Sequence, residues 1–411
     1  MTRPGNSRFA GLIESPDLTH SSRFPLWDRS KALLNPLPWS GEIKTRRVRK
    51  VPRPIYAEID VQALKHNLQR MRHIAGNRTL WAVVKANAYG HGLENAVRAF
   101  ADADGFATID LCDAERARRH GWHKRILLLE GFFDETDIEP LQDLDVETVI
   151  HSTWQIDILR KLPLREVKVH IKVNSGMNRL GFLPVEVGTV QEWLQAIPGV
   201  KVMGVVTHFA NAEPSYMRDA PASVDKQLTR MGRLAHSQTA ACMANSAAIL
   251  WHPEVEGEAV RAGVALYGLS PDPHISSEEL DIIPAMTVSA KIIAIQEIAP
   301  GEVVGYGSRW RAERPSRIAV VACGYADGYP RSMPDGAPTW VEGKIAPLVG
   351  AVSMDMLEID ITDIPEAKLG SLVELWGKHL DANRVAEACG TIGYEIICAL
   401  ARRVPLESKN K

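Results

Sequence analysis

The sequence predicts an α/β protein in which a (β/α)8 barrel of the TIM type is followed by a mainly β C-terminal domain. Three observations carry that expectation. From about residue 56, short β-branched apolar runs alternate with longer segments of helical period. Eight such runs fall within about 210 residues, which fits a closed barrel better than an open doubly wound sheet. Past residue 280 the texture changes to strand-like runs with Gly, Pro and Asp turns between them.

In chain order, residues 1–50 read as a poorly ordered extension, 51–282 as the barrel and 283–411 as the β domain. The first 54 residues hold 11 Lys/Arg against 4 Asp/Glu, and seven of the 25 prolines. Such a stretch buries too little apolar surface to order itself. A nucleic-acid or membrane arm is disfavoured there, because aromatic interleaving and amphipathic period are both weak. The regular pattern begins at 56–61. The barrel strands are expected at 81–85, 105–110, 126–130, 146–150, 167–174, 200–208, 241–245 and 259–264. Helical stretches at 113–120, 154–162, 185–196 and 225–235 lie between them, and this alternation signals right-handed βαβ units. The β domain should carry strands at 286–297, 317–323, 339–349, 356–361 and 371–376, then a helix at 383–388.

Composition sets the class. With 411 residues, 45% hydrophobic and 24% charged, the chain is globular and long enough for two or three domains. No apolar run reaches the ~18–20 residues of a membrane helix. Charges stand where a signal peptide would be apolar, so secretion is not expected. Five cysteines lack CxxC spacing, and the odd count points to a reducing cytoplasm rather than a disulfide framework.

Barrel active sites sit where strands end, so polar residues at those ends come first. Lys85 closes the apolar run of the first barrel strand. A buried lysine is costly as a cation, and a free amine is what Schiff-base chemistry requires. The competing reading is a lysine that snorkels out of the barrel mouth. Lys85 alone does not choose between them.

The surrounding motifs do. WAVVKANAYGHG at 81–92 resembles the cofactor-lysine motif of alanine racemases, two-domain pyridoxal-phosphate enzymes. HIKVNSGMNRLG at 170–181, THFA at 207–210, NSA at 245–247 and VRAGV at 260–264 follow in family order. VGYG at 304–307, GYADGY at 324–329, SMD at 353–355 and GTIGYE at 390–395 continue it through the β domain. The resemblance covers about residues 55–405.

It implies an enzyme, an isomerase that interconverts L- and D-alanine in the cytoplasm and supplies D-alanine for peptidoglycan. By the same resemblance, pyridoxal phosphate is tethered to Lys85, with Lys85 and Tyr306 as bases on opposite faces. Tyr306 needs assistance, for a phenol of ordinary pKa near ~10 is a poor base at neutral pH, and His208 is the neighbour expected to give it. Arg261 is expected at the pyridine nitrogen, where arginine donates without surrendering a proton. A carboxylate there would suit a decarboxylase instead. Tyr89, Ser246, Gly263, Val264 and Tyr394 are the implied phosphate cradle. Arg179 and the backbone N–H of Met354 are implied to bind substrate carboxylate, or in the case of Arg179 the cofactor's phenolic oxygen. Lys172, close to Arg179 in the family, is expected to be carbamylated. The implied assembly is a homodimer that shares its active sites. No metal, nucleic acid or membrane is implied. The runners-up are a broad-specificity amino-acid racemase and, in a different class, a non-catalytic pyridoxal-phosphate-binding protein. Two departures from the family pattern concern its hydrogen bonding: Asn174-Ser175 replaces a common Asp-Thr, and Ser353 a frequent cysteine.

Overall fold

The computed structural model describes residues 53–216, 220–236 and 240–409. The extension read at 1–50 lies outside the described residues.

Eight parallel strands close into a barrel: Thr79–Val83, Gly105–Thr108, Arg125–Leu128, Glu147–Ile150, Val167–Lys172, Val200–Val206, Ala240–Cys242 and Ala259–Ala262. They pair in chain order, and the last returns to the first with Trp81 opposite Arg261. Each stands where the apolar pattern puts it, but most end early. The first stops at Val83 rather than 85, the fifth at Lys172 rather than 174, and the sixth at Val206 rather than 208. The residues beyond have left the ladder for the barrel mouth, and Lys85, Glu130, Asn174, His208 and Asn245 are among them. At the other end, polar side chains fill the barrel. Arg125 lies 4.6 Å over the Trp81 ring and makes two bonds to buried Glu147, at 2.5 and 2.8 Å. His170 Nε2 adds a third contact to Glu147 at 2.6 Å.

The β domain is built on the 13-residue strand Met286–Ile298, which pairs with Ile55–Asp60, Leu372–Trp376 and Ser316–Val321. Residues 55–60, read with the barrel from the sequence, thus lie in the β-domain sheet. The alternating burial of Ile55, Ala57 and Ile59 marks a half-buried strand, and such a pattern does not name its partner. The single run expected at 339–349 is a hairpin, Pro338–Val341 with Lys344–Pro347. Its turn carries Glu342 and Gly343 at φ 46° and 81°, the two positive angles of a tight hairpin loop. The strand Leu406–Lys409 pairs in parallel with Ile55–Asp60, and the helix Gly393–Cys398 carries Tyr394 and Cys398 to the barrel mouth.

Candidate active site

The first barrel strand delivers Lys85 into an unusual backbone. Ala86, Asn87, Ala88 and Tyr89 follow it at φ 54°, 54°, 55° and 50°, one left-handed turn. Left-handed helix costs L-residues roughly 1–2 kcal/mol each, so the turn persists only because its surroundings hold it. Asn87 Oδ1 accepts from Leu93 N and from Arg116, both at 3.1 Å. Asn95 donates to the His91 carbonyl at 2.8 Å. Tyr89 stacks on Tyr267 at 4.7 Å, and the Tyr267 hydroxyl donates to Val83 O at 2.8 Å. Gly90 is required here, for a Cβ would lie 2.2 Å from the Ile397 carbonyl oxygen.

Lys85 and Tyr89 face a cavity of about 350 Å³ at the C-terminal ends of the strands, within the usual range for small-ligand sites. Arg179, His208, Ser246, Arg261, Gly263, Val264, Tyr394 and Lys172 line it too. The structure therefore brings together ten of the residues singled out from the sequence. Tyr306 and Met354 stay apart from them. They are 72% and 54% exposed on the β domain and do not line the cavity.

The charge of the cavity is one-sided. Lys85, Lys172, Arg179 and Arg261 face it, against one carboxylate, Glu130. Burial holds the Lys85 amine below the ordinary lysine range; Glu130 opposes that shift, and Arg179 and Arg261 add to it. Lys172 is pushed down to about 7 by burial, then by Arg261 and Arg179. It is 9% exposed, and no hydrogen-bond acceptor meets its Nζ among the described residues. Lys172 and Arg179, expected from the sequence to approach each other, line the same cavity.

Arg261 is buried and nearly saturated. It donates to Cys242 O at 2.6 Å, Cys242 Sγ at 3.1 Å, Thr207 O at 2.7 Å and Met243 O at 3.3 Å. Among the described residues its Nε–H alone makes no bond, so that donor remains for a ligand. Arg261 also approaches His208 Nδ1 at 3.3 Å. Burial, then Arg261 and Lys172, hold His208 well below its ordinary pKa. The ring is therefore neutral, accepts at Nδ1 and carries its proton on Nε2.

A phosphate-bearing anion fits this donor set. Gly263 N donates to Ser246 Oγ at 2.8 Å, and a Cβ on Gly263 would lie 3.0 Å from Tyr89 Oη. Burial raises the Tyr89 and Tyr394 phenols, so both remain proton donors. Hydroxyls and backbone N–H groups beside a glycine form a cradle for phosphate.

The Asn174-Ser175 departure is accommodated. Asn174 Oδ1 accepts from Gly176 N at 3.1 Å and Asn178 N at 3.0 Å. Its amide also donates to Asn178 Oδ1 at 3.1 Å, which a carboxylate could not do. Gln227 donates to Ser175 Oγ, Ser175 bonds Thr207 Oγ1, and Thr207 donates to Val173 O, each at 2.8 Å. This chain of bonds ties the Arg179 loop to the His208 strand.

Seven lining residues were missed from the sequence, and two of them, Glu130 and Cys398, are titratable. Glu130 lies two residues past its strand just as Lys85 does, so the same criterion would have found it. Cys398 stands one helical turn after Tyr394, in a helix short enough to leave no periodic signal. Its thiol is pushed up to about 11 by burial. All five cysteines are free.

Two family models match the chain. "Alanine racemase, N-terminal domain" spans residues 59–271 and "Alanine racemase, C-terminal domain" residues 285–408. An alanine racemase from Erwinia tasmaniensis is 46% identical over 362 residues, covering 87% of this chain and 99% of the relative. A catabolic alanine racemase from Klebsiella aerogenes is likewise 46% identical, over 361 residues. Among solved structures, the biosynthetic alanine racemase of Pseudomonas aeruginosa superposes with a TM-score of 0.83 at 42% identity, over 87% of this chain and 100% of that one.

Proposed function

The chain belongs to the alanine racemase family and interconverts the enantiomers of alanine, and on that premise we propose which of its residues do the work. Pyridoxal phosphate is the cofactor the family implies; when bound, it supplies an electron sink that acidifies the α-proton of the amino acid. Lys85 would hold it covalently. Tyr89, Ser246, Tyr394 and the backbone at Gly263 and Val264 would hold its phosphate, and the Nε–H of Arg261 its pyridine nitrogen. Because arginine keeps its proton, Arg261 would donate to that nitrogen without protonating it, a role that suits racemisation rather than decarboxylation.

The observation that carries the assignment is the cavity itself: Lys172, Arg179 and Arg261 around the lysine that leads into the left-handed turn, one unused Arg261 donor, and one carboxylate. Lys85 Nζ takes or returns the α-proton on one face, and burial favours the neutral amine that this role requires. Tyr306 Oη serves the other face. Its exposure on the β domain fits a homodimer in which each chain lends Tyr306 and the Met354 N–H to its partner's barrel. His208, neutral with its proton on Nε2, can donate to the Tyr306 oxygen and stabilise the phenolate. Arg179 binds the substrate carboxylate or the cofactor's phenolic oxygen, and a carbamate on Lys172 would convert its repulsion with Arg179 into a charge-assisted bridge. We place the enzyme in the cytoplasm, with D-alanine for peptidoglycan as its product in use. No described helix is long and apolar enough to cross a membrane.

Chiral analysis of products from L-alanine, L-serine and L-lysine, with borohydride fixation of the cofactor followed by peptide mapping, tests this reading. Racemised alanine and label on the Lys85 peptide are expected. Comparable turnover of lysine would favour a broad-specificity racemase, and label on another lysine would overturn the Lys85 assignment.

A further inference from the structure

His91 takes no part in the chemistry above, yet it is fully enclosed, at 1% exposure, just beyond the left-handed turn that carries Lys85 and Tyr89. Its Nδ1 lies 2.8 Å from the Tyr89 carbonyl. A carbonyl only accepts, so Nδ1 carries the proton and Nε2 is an acceptor. Burial holds the ring down to about 4 and so keeps it neutral. The ring also packs on Tyr267, at 4.7 Å between centroids, the same tyrosine that stacks on Tyr89. The turn is thus gripped at its carbonyl and at its ring by a two-residue clamp.

The outer side of that clamp is incomplete within the protein. His91 Nε2 and Trp376 Nε1 are both buried without a hydrogen-bond partner. One is an obligate acceptor and the other an obligate donor. Both residues line the same small cavity of about 20 Å³, where the barrel meets the β domain strand Leu372–Trp376. A space of that size holds one water, and buried polar atoms in native proteins are nearly always satisfied.

We propose that His91 is a positioning residue for the cofactor lysine, anchored to Trp376 of the β domain through a single buried water that accepts from the indole and donates to the imidazole. The β domain of the same chain then holds the turn that aims Lys85 and Tyr89 into the site. This rests on the reading of Lys85 as the cofactor lysine, which borohydride fixation on the unmodified protein checks separately.

The test uses the holoenzyme and three variants. His91→Leu removes both nitrogens, His91→Asn keeps an amide donor near the Tyr89 carbonyl, and Trp376→Phe deletes only the indole N–H. Crystals of the parent should show one density peak within hydrogen-bond reach of His91 Nε2 and Trp376 Nε1. His91→Leu should lower kcat about tenfold with KM for alanine within about twofold, as the loss of one aligned bond implies. It should also weaken the visible circular dichroism of the bound cofactor, which reports how that chromophore is held. His91→Asn should recover most of both signals, and Trp376→Phe should lose about threefold in kcat without loss of the cofactor. Variants that melt earlier but keep parental kcat and dichroism would reduce His91 to a packing role and overturn the proposal. A dry cavity in the parent map, with Trp376→Phe at parental kcat, would overturn it too.

Discussion

Lys172→Ala, compared with the parent protein, examines the least ordinary charge in the site. A lysine of ordinary pKa is neutral at pH 7 in about one molecule in three thousand. Lys172, pushed down to about 7 by burial and by Arg261 and Arg179, is neutral in about half. Only the neutral amine adds carbon dioxide, so this position is enriched in the reactive form on the order of a thousandfold over a surface lysine. The product is an anion facing Arg179 and Arg261. Two cations ~4 Å apart at an effective dielectric of ~20 repel by about 4 kcal/mol, and the carbamate reverses the sign of that interaction. Carbon-13 NMR of protein equilibrated with labelled bicarbonate should show one slowly exchanging carbamate carbon. That signal should fade as the pH falls below about 7, where the amine protonates. Lys172→Ala should lose the signal and most of its activity, and short carboxylates should restore part of the activity. Fully active protein without a carbamate carbon would refute the reasoning.

Other residues give measurable consequences. Gly263→Ala places a methyl 3.0 Å from Tyr89 Oη in the proposed phosphate cradle, so cofactor affinity should fall at least about tenfold; equilibrium dialysis giving parental affinity would remove Gly263 from the cradle. His91 is held down to about 4, so the unfolded chain takes up a proton that the buried ring refuses. Its contribution to stability is full above about 6.5 and is lost as the pH drops toward 4, by about 3 kcal/mol. Urea unfolding should show that slope in the parent and a flatter one in His91→Asn; equal slopes would contradict it. Tyr394 lines the cavity, and its phenol beside the proposed substrate methyl would leave little room for a longer side chain, so kcat/KM should favour alanine over lysine by at least about two orders of magnitude; near-equal values would contradict that placement.

Much of this was legible in the sequence, and the exceptions share causes. Eight apolar runs became eight barrel strands because a parallel strand buried on both faces leaves a continuous hydrophobic record. The expected ends at 85, 174 and 208 overran the strands because Val84, Val173 and Thr207 stay buried after the chain has left the ladder. Residues 55–60 could not announce that they pair across the chain with Met286–Ile298 and Leu406–Lys409, since pairing partners are not encoded in alternation. The helix Gly393–Cys398 and the turn at Glu342-Gly343 are too short for periodicity to register. In the site, Lys85, Arg261 and the cradle were readable from motifs. The depressed Lys172, the bond network that accommodates Asn174-Ser175, and the isolation of Glu130 among cations needed the folded barrel, for each is a property of neighbours distant in sequence.

The most direct test of the central claim, two bases on two faces, is α-proton exchange by Tyr306→Phe in deuterated water. With Lys85 intact and the opposite face disabled, racemisation should nearly vanish while D-alanine still exchanges its α-proton, and does so faster than L-alanine. Equal exchange of both enantiomers, or racemisation at the parental rate, would contradict the assignment of Lys85 and Tyr306 to opposite faces.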